Sequence, residues 1–123
     1  MKGGIIDFVP FFKGSLTKNK LVISEDGDFF LTVDTGFSGS IALPLDTFKK
    51  LEVELAFYDT FKIATGEVIE LPVFLGKAMI KNVDVETWFI PGDYLLGMEF
   101  LAEAGSILYF DFITGEVNLT DGT

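Results

Sequence analysis

Residues 29–36 read Phe29-Phe30-Leu31-Thr32-Val33-Asp34-Thr35-Gly36, and this stretch decides the fold. It is an apolar run of strand character that ends in an aspartate, a threonine and a glycine. A carboxylate at the end of a buried strand is costly to desolvate unless it is hydrogen-bonded or takes part in chemistry. The glycine permits a tight backbone turn that a side chain would block. Asp34 is therefore the first candidate functional residue.

The length and composition of the chain indicate one globular domain. The 123 residues fit a single domain over residues 1–123, and 49% of them are apolar, which is typical of a packed protein rather than a disordered one. Phenylalanine is frequent, with 14 copies against 1 Trp and 3 Tyr. We expect most of these rings to fill the core and some to line a groove.

The missing residue types exclude several kinds of chemistry. The sequence has no cysteine and no histidine, so disulfides, thiolate nucleophiles, Ser-His-Asp catalysis and zinc sites with Cys or His ligands are excluded. Carboxylates are the obvious titratable groups that remain for work near or below neutral pH. We expect no metal and no cofactor.

The charge of the chain limits its partners. The formal net charge is -10, so we expect no binding to nucleic acid, which needs clustered Lys and Arg, and none to anionic membrane surfaces. The N-terminal stretch lacks the long apolar core of a secretory signal, and no segment is apolar for long enough to span a bilayer. The sequence predicts a soluble, cytoplasmic protein.

The pattern along the chain is mostly β. Short runs rich in Phe, Val, Ile, Leu and Thr alternate with turn signals at close intervals. Turns are expected at Glu25-Asp26-Gly27-Asp28, Thr65-Gly66, Pro91-Gly92-Asp93 and Thr114-Gly115. The predicted strands cover residues 5–9, 20–24, 29–33, 55–64, 67–75, 79–90, 94–97, 106–112 and 116–120.

Two short helical segments complete the prediction. Residues 44–51 form a short helix or turn with Pro44 at its first position. Residues 98–104 form a helix that ends at Gly105. Many closely spaced strands with one short helix near the C-terminal end predict an all-β fold, specifically a small closed barrel.

An Asp-Thr-Gly triplet alone is weak evidence, because Asp and Gly are common in ordinary turns. Here the triplet directly follows an apolar strand. Tyr94-Leu95-Leu96-Gly97 lies about 60 residues later and precedes a predicted helix. A predicted hairpin with Thr65-Gly66 at its tip falls between the two. Each of these glycines, taken singly, also fits an ordinary turn, and only their order along the chain favours a functional role.

This order resembles the aspartic proteases of the pepsin and retropepsin type across nearly the whole chain. The closest resemblance is to the small retropepsin-like proteases of bacteria and archaea. It lies in Asp34-Thr35-Gly36-Phe37-Ser38-Gly39 followed by Leu43-Pro44. Retroviral and pepsin-type enzymes usually carry Ala or Ser where this chain has Phe37. The resemblance implies a barrel with a ψ-shaped strand crossing, a flap that covers substrate, and hydrolysis of peptide bonds.

The resemblance also assigns roles to individual residues. Asp34 is the catalytic acid and base, Thr35 braces the active-site loops of two copies against each other by hydrogen bonds, and Gly36 allows the turn of the loop. Ser38 is a polar contact for Asp34 or for substrate, and Phe37 fills part of the groove or core. The remaining assignments are Thr65 and Gly66 at the flap tip and Gly97 at the ψ crossing. Glu67, beside the tip, is either a solvated turn residue or a contact for basic side chains of a substrate.

A single Asp-Thr-Gly loop implies a homodimer. Aspartic proteases need two carboxylates that share one proton and hold a water between them. No other aspartate has a matching context, since Asp93 precedes Tyr94 and Asp111 precedes Phe112. Twofold symmetry would place Asp34 opposite its own copy, with the substrate groove across the axis. The expected partners are a second copy of the chain and a peptide or unfolded protein.

Two alternatives stay open at this point. The domain could keep the fold without catalysis, as a dimerisation or peptide-binding module in which Asp34 is a structural hydrogen-bond acceptor. It could also be a purely structural β-domain with a chance triplet.

Overall fold

The computed structural model describes residues 1–121, and Gly122 and Thr123 lie outside this part. The described chain is mostly β, as the sequence predicts, with one α-helix and one 3₁₀ helix. The strands are β1 (Lys2–Ile6), β2 (Val9–Thr17), β3 (Lys20–Ile23), β4 (Phe29–Val33), β5 (Ile41–Leu43), β6 (Glu54–Lys62), β7 (Val68–Ile80), β8 (Val83–Pro91), β9 (Leu95–Leu96), β10 (Ile107–Asp111) and β11 (Glu116–Thr120). The 3₁₀ helix is Leu45–Lys50, and α1 is Met98–Ala104.

The strands form one mixed sheet in the order β10-β11-β1-β2-β3-β7-β8-β5-β9-β4. The last strand in this order, β4, also pairs with β2, so the sheet curls round to meet itself. Within residues 1–121, the strand β6 pairs only with β7 and is not part of this order. Three pairings are parallel: β3 with β7, β4 with β9, and β5 with β8. The strand β10 has a neighbour on one side only among the described strands.

The hydrophobic core is enclosed by this curled sheet and by α1. Phe12, Phe89 and Phe100 are its largest fully buried side chains. Burial of one such side chain contributes about 1.5–3 kcal/mol to stability. The expectation that most phenylalanines fill the core is wrong, because these three are the only buried ones among the described residues. Several others are exposed, and some line the cavity described below.

Three hairpin turns without glycine explain the main errors in the predicted strands. Asp7-Phe8, Lys18-Asn19 and Lys81-Asn82 each have two consecutive residues with positive φ, between 50° and 66°. This is the backbone of a type I′ turn, which matches the twist of the flanking strands and usually contains Asn or Gly. The predicted strand over residues 5–9 therefore breaks at Asp7-Phe8. The predicted strand over residues 79–90 is interrupted by the turn at Lys81-Asn82, so its first two residues belong to β7 and the residues from Val83 onward to β8.

Other predicted elements agree closely with the structure. The strands β4 and β11 and the helix α1 have the predicted bounds. The prediction missed most of β2 and the three residues of β5. Pro44 caps the 3₁₀ helix rather than lying at its first position, and Gly105 ends α1 in an extended conformation. Within residues 1–121, no helix has the length and apolar character needed to cross a bilayer.

Candidate functional site

The Asp34 loop, residues 34–40, connects two strands that lie on either side of β9. Strand β4 leads into the loop and runs parallel to β9, with Val33 opposite Leu96. Strand β5 leaves the loop and runs antiparallel to β9, with Ile41 opposite Leu96. The short strand β9 therefore lies between the two ends of the loop. This arrangement fixes the position of Asp34 from both sides.

Backbone hydrogen bonds attach the loop to β9 and to the start of α1. Asp34 N donates to Leu96 O at 3.0 Å, and Gly97 N donates to Ser40 O at 2.6 Å. In the first turn of α1, Met98 N donates to Phe37 O at 2.9 Å and Glu99 N to Gly39 O at 3.1 Å. The amide groups at a helix start have no partner within the helix, so the loop carbonyls satisfy them. The loop therefore also caps α1.

Gly97 and Gly39 allow this close approach. A Cβ on residue 97 would lie 2.1 Å from Gly39 O and 2.7 Å from Phe37 Cδ2. A Cβ on residue 39 would lie 2.6 Å from Phe37 Cε1. At Gly97 the two backbone segments therefore pass too close together for any residue with a side chain. The Phe37 ring is half-buried against both glycines.

The Asp34 carboxylate is half-buried at the end of β4. Its Oδ1 accepts a hydrogen bond from Gly36 N at 3.0 Å, and Asp34 O accepts one from Phe37 N at 3.1 Å. Both bonds are local and shape the turn. Thr35, Gly36 and Ser38 are exposed. In the described part of the chain, Ser38 makes no hydrogen bond to Asp34, so its expected contact there is absent from this structure.

The hairpin of β6 and β7, here called the covering hairpin, has Thr65 and Gly66 at its tip. Ile63 N donates to Glu67 O at 2.9 Å, and Gly66 N donates to Ile63 O at 2.9 Å. Gly66 has φ of +89°, a conformation that favours glycine. Both tip residues and Glu67 are exposed, and none of the three lines the cavity next to the Asp34 loop.

A cavity of about 230 Å³, here called the side cavity, lies between the Asp34 loop and the covering hairpin. The loop contributes Phe37 and Ser38, which joins two of the predicted substrate-binding residues. Asp34 itself does not line it. The full lining is Phe37, Ser38, Gly39, Ser40, Phe57, Asp59, Phe61, Val73, Trp88, Ile90 and Glu99.

The walls of the side cavity follow from strand periodicity. Phe57, Asp59 and Phe61 alternate along β6 and so face the same side of the hairpin. Trp88 and Ile90 alternate on β8 with Phe89, whose ring is in the core. The Phe57 and Trp88 rings meet nearly edge to face, 5.4 Å apart. Period-two alternation in these strands is the signal by which the sequence could have indicated this wall.

No protein-family model, curated protein or solved structure matches this chain.

A second polar cluster supports the far end of the Asp34 loop. The hydroxyls of Ser40 and Thr87 are buried, and both donate to Glu103 Oε1, at 3.3 Å and 3.1 Å. Glu103 thus connects the loop, β8 and α1. The sequence carried no local signal for this cluster, because its members are far apart along the chain. Within residues 1–121, no group of three or more carboxylates is arranged to hold a metal ion.

Proposed function

We propose that the protein is a homodimeric aspartic endopeptidase with an acid-protease-like barrel. The observation that carries the proposal is the position of Asp34, on a loop whose two ends enclose β9. This is the strand arrangement expected of the ψ-loop. The pairing of β4 with β2 joins the end of the sheet to an earlier strand, as a closed barrel requires. A cytoplasmic location stays a prediction from the sequence.

In the proposed reaction, two Asp34 carboxylates share one proton across a twofold axis. One carboxylate takes a proton from the bound water as the water attacks the peptide carbonyl carbon, and the other donates its proton to the carbonyl oxygen. Two close carboxylates do not both carry a negative charge easily, so one proton is shared between them. Thr35 lies next to Asp34 at the exposed surface of the loop, where it is available to a second copy.

The open edge of β10 supports association of two copies. Edge strands with unpaired backbone groups pair readily with another chain unless charge or proline blocks them. Ile107, Tyr109 and Phe110 on β10 are exposed large side chains, and Phe112 and Ile113 continue this apolar surface into the next turn. Pairing of β10 with its own copy would extend the sheet across a twofold axis.

The covering hairpin supports a peptide as substrate. Every residue of β6 except Phe61 is exposed, although Leu55, Phe57 and Tyr58 are large and apolar. Exposed apolar side chains grouped on one element are typical of binding surfaces. The hairpin is therefore available to cover an extended peptide that lies against the Asp34 loop.

The activity test uses an unstructured protein as substrate at mildly acidic and neutral pH. The native chain should cleave it, and Asp34→Asn should lose at least about a thousandfold in rate, because an amide cannot exchange the proton. Asparagine keeps Oδ1 as an acceptor for Gly36 N, so the variant should fold. Asp46→Asn, which removes an exposed carboxylate in the 3₁₀ helix, is the matched control and should cleave normally. Equal rates for native and Asp34→Asn protein would refute catalysis by Asp34.

The dimer test exploits the absence of cysteine. Asp34→Cys introduces the only thiol of the chain, and a short bis-maleimide should link two copies through it. Asp46→Cys should give little linked dimer at the same protein concentration. Tyr109→Glu places a charge in the middle of the β10 edge and should weaken dimerisation roughly tenfold, measured by sedimentation. A native chain that stays monomeric at high concentration would contradict the proposal.

A non-catalytic peptide-binding module is the second candidate. The observation in its favour is the bond from Gly36 N to Asp34 Oδ1, which gives Asp34 a local structural role within its own turn. Under this alternative, Asp34→Asn and native protein would bind peptide equally, and neither would show turnover.

A further inference from the structure

The side cavity is suited to one side chain of a bound peptide. Its volume of about 230 Å³ is below the roughly 300–1,000 Å³ of sites that bind drug-sized ligands. It is bounded on one side by the Asp34 loop and on another by the covering hairpin. A peptide held between the loop and the hairpin would pass its opening.

The side cavity combines aromatic walls with two carboxylates. Phe57 and Trp88 supply ring surface, Asp59 comes from β6, and Glu99 comes from the first turn of α1. The two carboxylates are thus on separate elements. Within residues 1–121, neither of them forms an ion pair, and no lysine lines the cavity. Asp59 Oδ1 accepts a hydrogen bond from Thr60 N at 2.8 Å, which keeps this carboxylate in place on the strand.

We infer that the side cavity is a subsite that selects a basic side chain, arginine above all, next to the bond presented to Asp34. The inference rests on the proposed function, whose substrate class it names. The apolar stem of arginine would lie along the aromatic walls, and its guanidinium would reach Asp59 and Glu99. Planar guanidinium groups also stack on rings such as that of Trp88.

Charge complementarity favours arginine over the other side chains that the cavity could hold. An acidic side chain would meet two carboxylates of the same sign. An uncharged apolar one would contact the rings but leave the carboxylates without a partner. The net charge of -10 also attracts cationic peptides over longer distances. Both carboxylates are exposed, so each should contribute about a threefold preference, or roughly tenfold for the two together.

The test compares two blocked peptides that differ at one position, arginine in one and citrulline in the other. Citrulline has nearly the same shape without the charge. Binding is measured to Asp34→Asn protein, which should bind substrate without cleaving it. The arginine peptide should bind about tenfold more tightly at low salt, and this ratio should fall as salt is raised. The ratio should approach one when Asp59→Asn and Glu99→Gln are added.

A charge-matched control separates the subsite from the overall charge. Adding Asp46→Asn and Glu25→Gln removes two carboxylates outside the side cavity and should preserve most of the tenfold ratio. The single variants Asp59→Asn and Glu99→Gln should each lower the affinity ratio about threefold. They provide the test if the combined variant does not fold. Equal binding of the two peptides, binding of neither, or a ratio unchanged by Asp59→Asn and Glu99→Gln would overturn the inference.

Cleavage by the native chain distinguishes this inference from the proposed function. If native protein cleaves both peptides equally well and binds them equally, the proposed protease activity is supported and the proposed arginine subsite is wrong. If it cleaves neither, while the arginine preference depends on Asp59 and Glu99, the protease is wrong and the cavity is confirmed as a binding subsite.

Discussion

Replacement of Gly97 by alanine tests how the Asp34 loop is held against β9 and α1. The added Cβ would lie 2.1 Å from Gly39 O, whereas an ordinary carbon–oxygen contact is about 3.3 Å or longer. The two backbones must therefore separate by about 1.2 Å. The hydrogen bonds from Gly97 N to Ser40 O and from Glu99 N to Gly39 O span the same contact and would be stretched.

The magnitude follows from these two effects. Overpacking of a close contact costs about 1–3 kcal/mol, and each lost hydrogen bond costs about 1 kcal/mol. With one or two bonds lost, Gly97→Ala should lower the free energy of unfolding by about 2–5 kcal/mol. For a chain of this length, that corresponds to a fall in Tm of about 6–20 °C.

The assay is urea unfolding followed by the fluorescence of Trp88, the only tryptophan of the chain. Native and variant protein are compared at one concentration, because dimerisation would make stability depend on concentration. Gly92→Ala is the control, since its Cβ would meet only Ala42 Cβ, at 3.3 Å, and it should cost less than about 1 kcal/mol. If the free energy of unfolding of Gly97→Ala lies within about 0.5 kcal/mol of the native value, the loop does not pack closely against Gly97, since such a small change is typical of surface substitutions.

Three further predictions follow from local features. Phe8 is exposed and has φ of +66°, so Phe8→Asn should stabilise the chain by roughly 1 kcal/mol in urea unfolding, and a loss of stability would contradict this. Glu103→Ala leaves two buried hydroxyls without their acceptor and should cost about 1–3 kcal/mol, whereas Glu103→Gln should recover part of it; equal stability of all three proteins would show that the cluster contributes nothing. Backbone hydrogen bonds from Thr114, and to a smaller extent from Ile113, lower the pKa of Asp111. The charged Asp111 therefore stabilises the fold above the ordinary pKa of about 3.9, and this contribution is lost as the pH falls through the lower pKa of the folded state. Asp111→Asn should therefore be less stable than native protein at pH 7, with the gap closing only in strong acid, and a gap that widens on acidification would be inconsistent with this.

The sequence predicted the elements whose local signals agree with the tertiary structure. The strand β4 is an apolar run between clear turn signals, and α1 begins after Gly97 and ends before Gly105. Turns that contain glycine, such as Thr65-Gly66 and Thr114-Gly115, were placed correctly. The hairpin turns at Asp7-Phe8 and Lys81-Asn82 were missed, because pairing of the flanking strands forces these residues to positive φ without a glycine.

The loop residues of the candidate site could be read from the sequence, but its surroundings could not. Asp34, Gly36 and Gly97 follow a local pattern, and the structure brings the Asp34 loop against Gly97. The residues Asp59 and Glu99 line the same cavity only because β6 and the first turn of α1 both lie beside the Asp34 loop. Such contacts between distant segments depend on topology, and no short motif encodes them.

The most direct test of the proposed Asp34 pair is the separation of the two Asp34 carboxylates in a crystal structure of the dimer. We expect the closest oxygens of the two side chains to lie at hydrogen-bond distance, about 2.5–3.2 Å, on a twofold axis within a common groove. A dimer that holds the two side chains apart, on surfaces that share no groove, would contradict it.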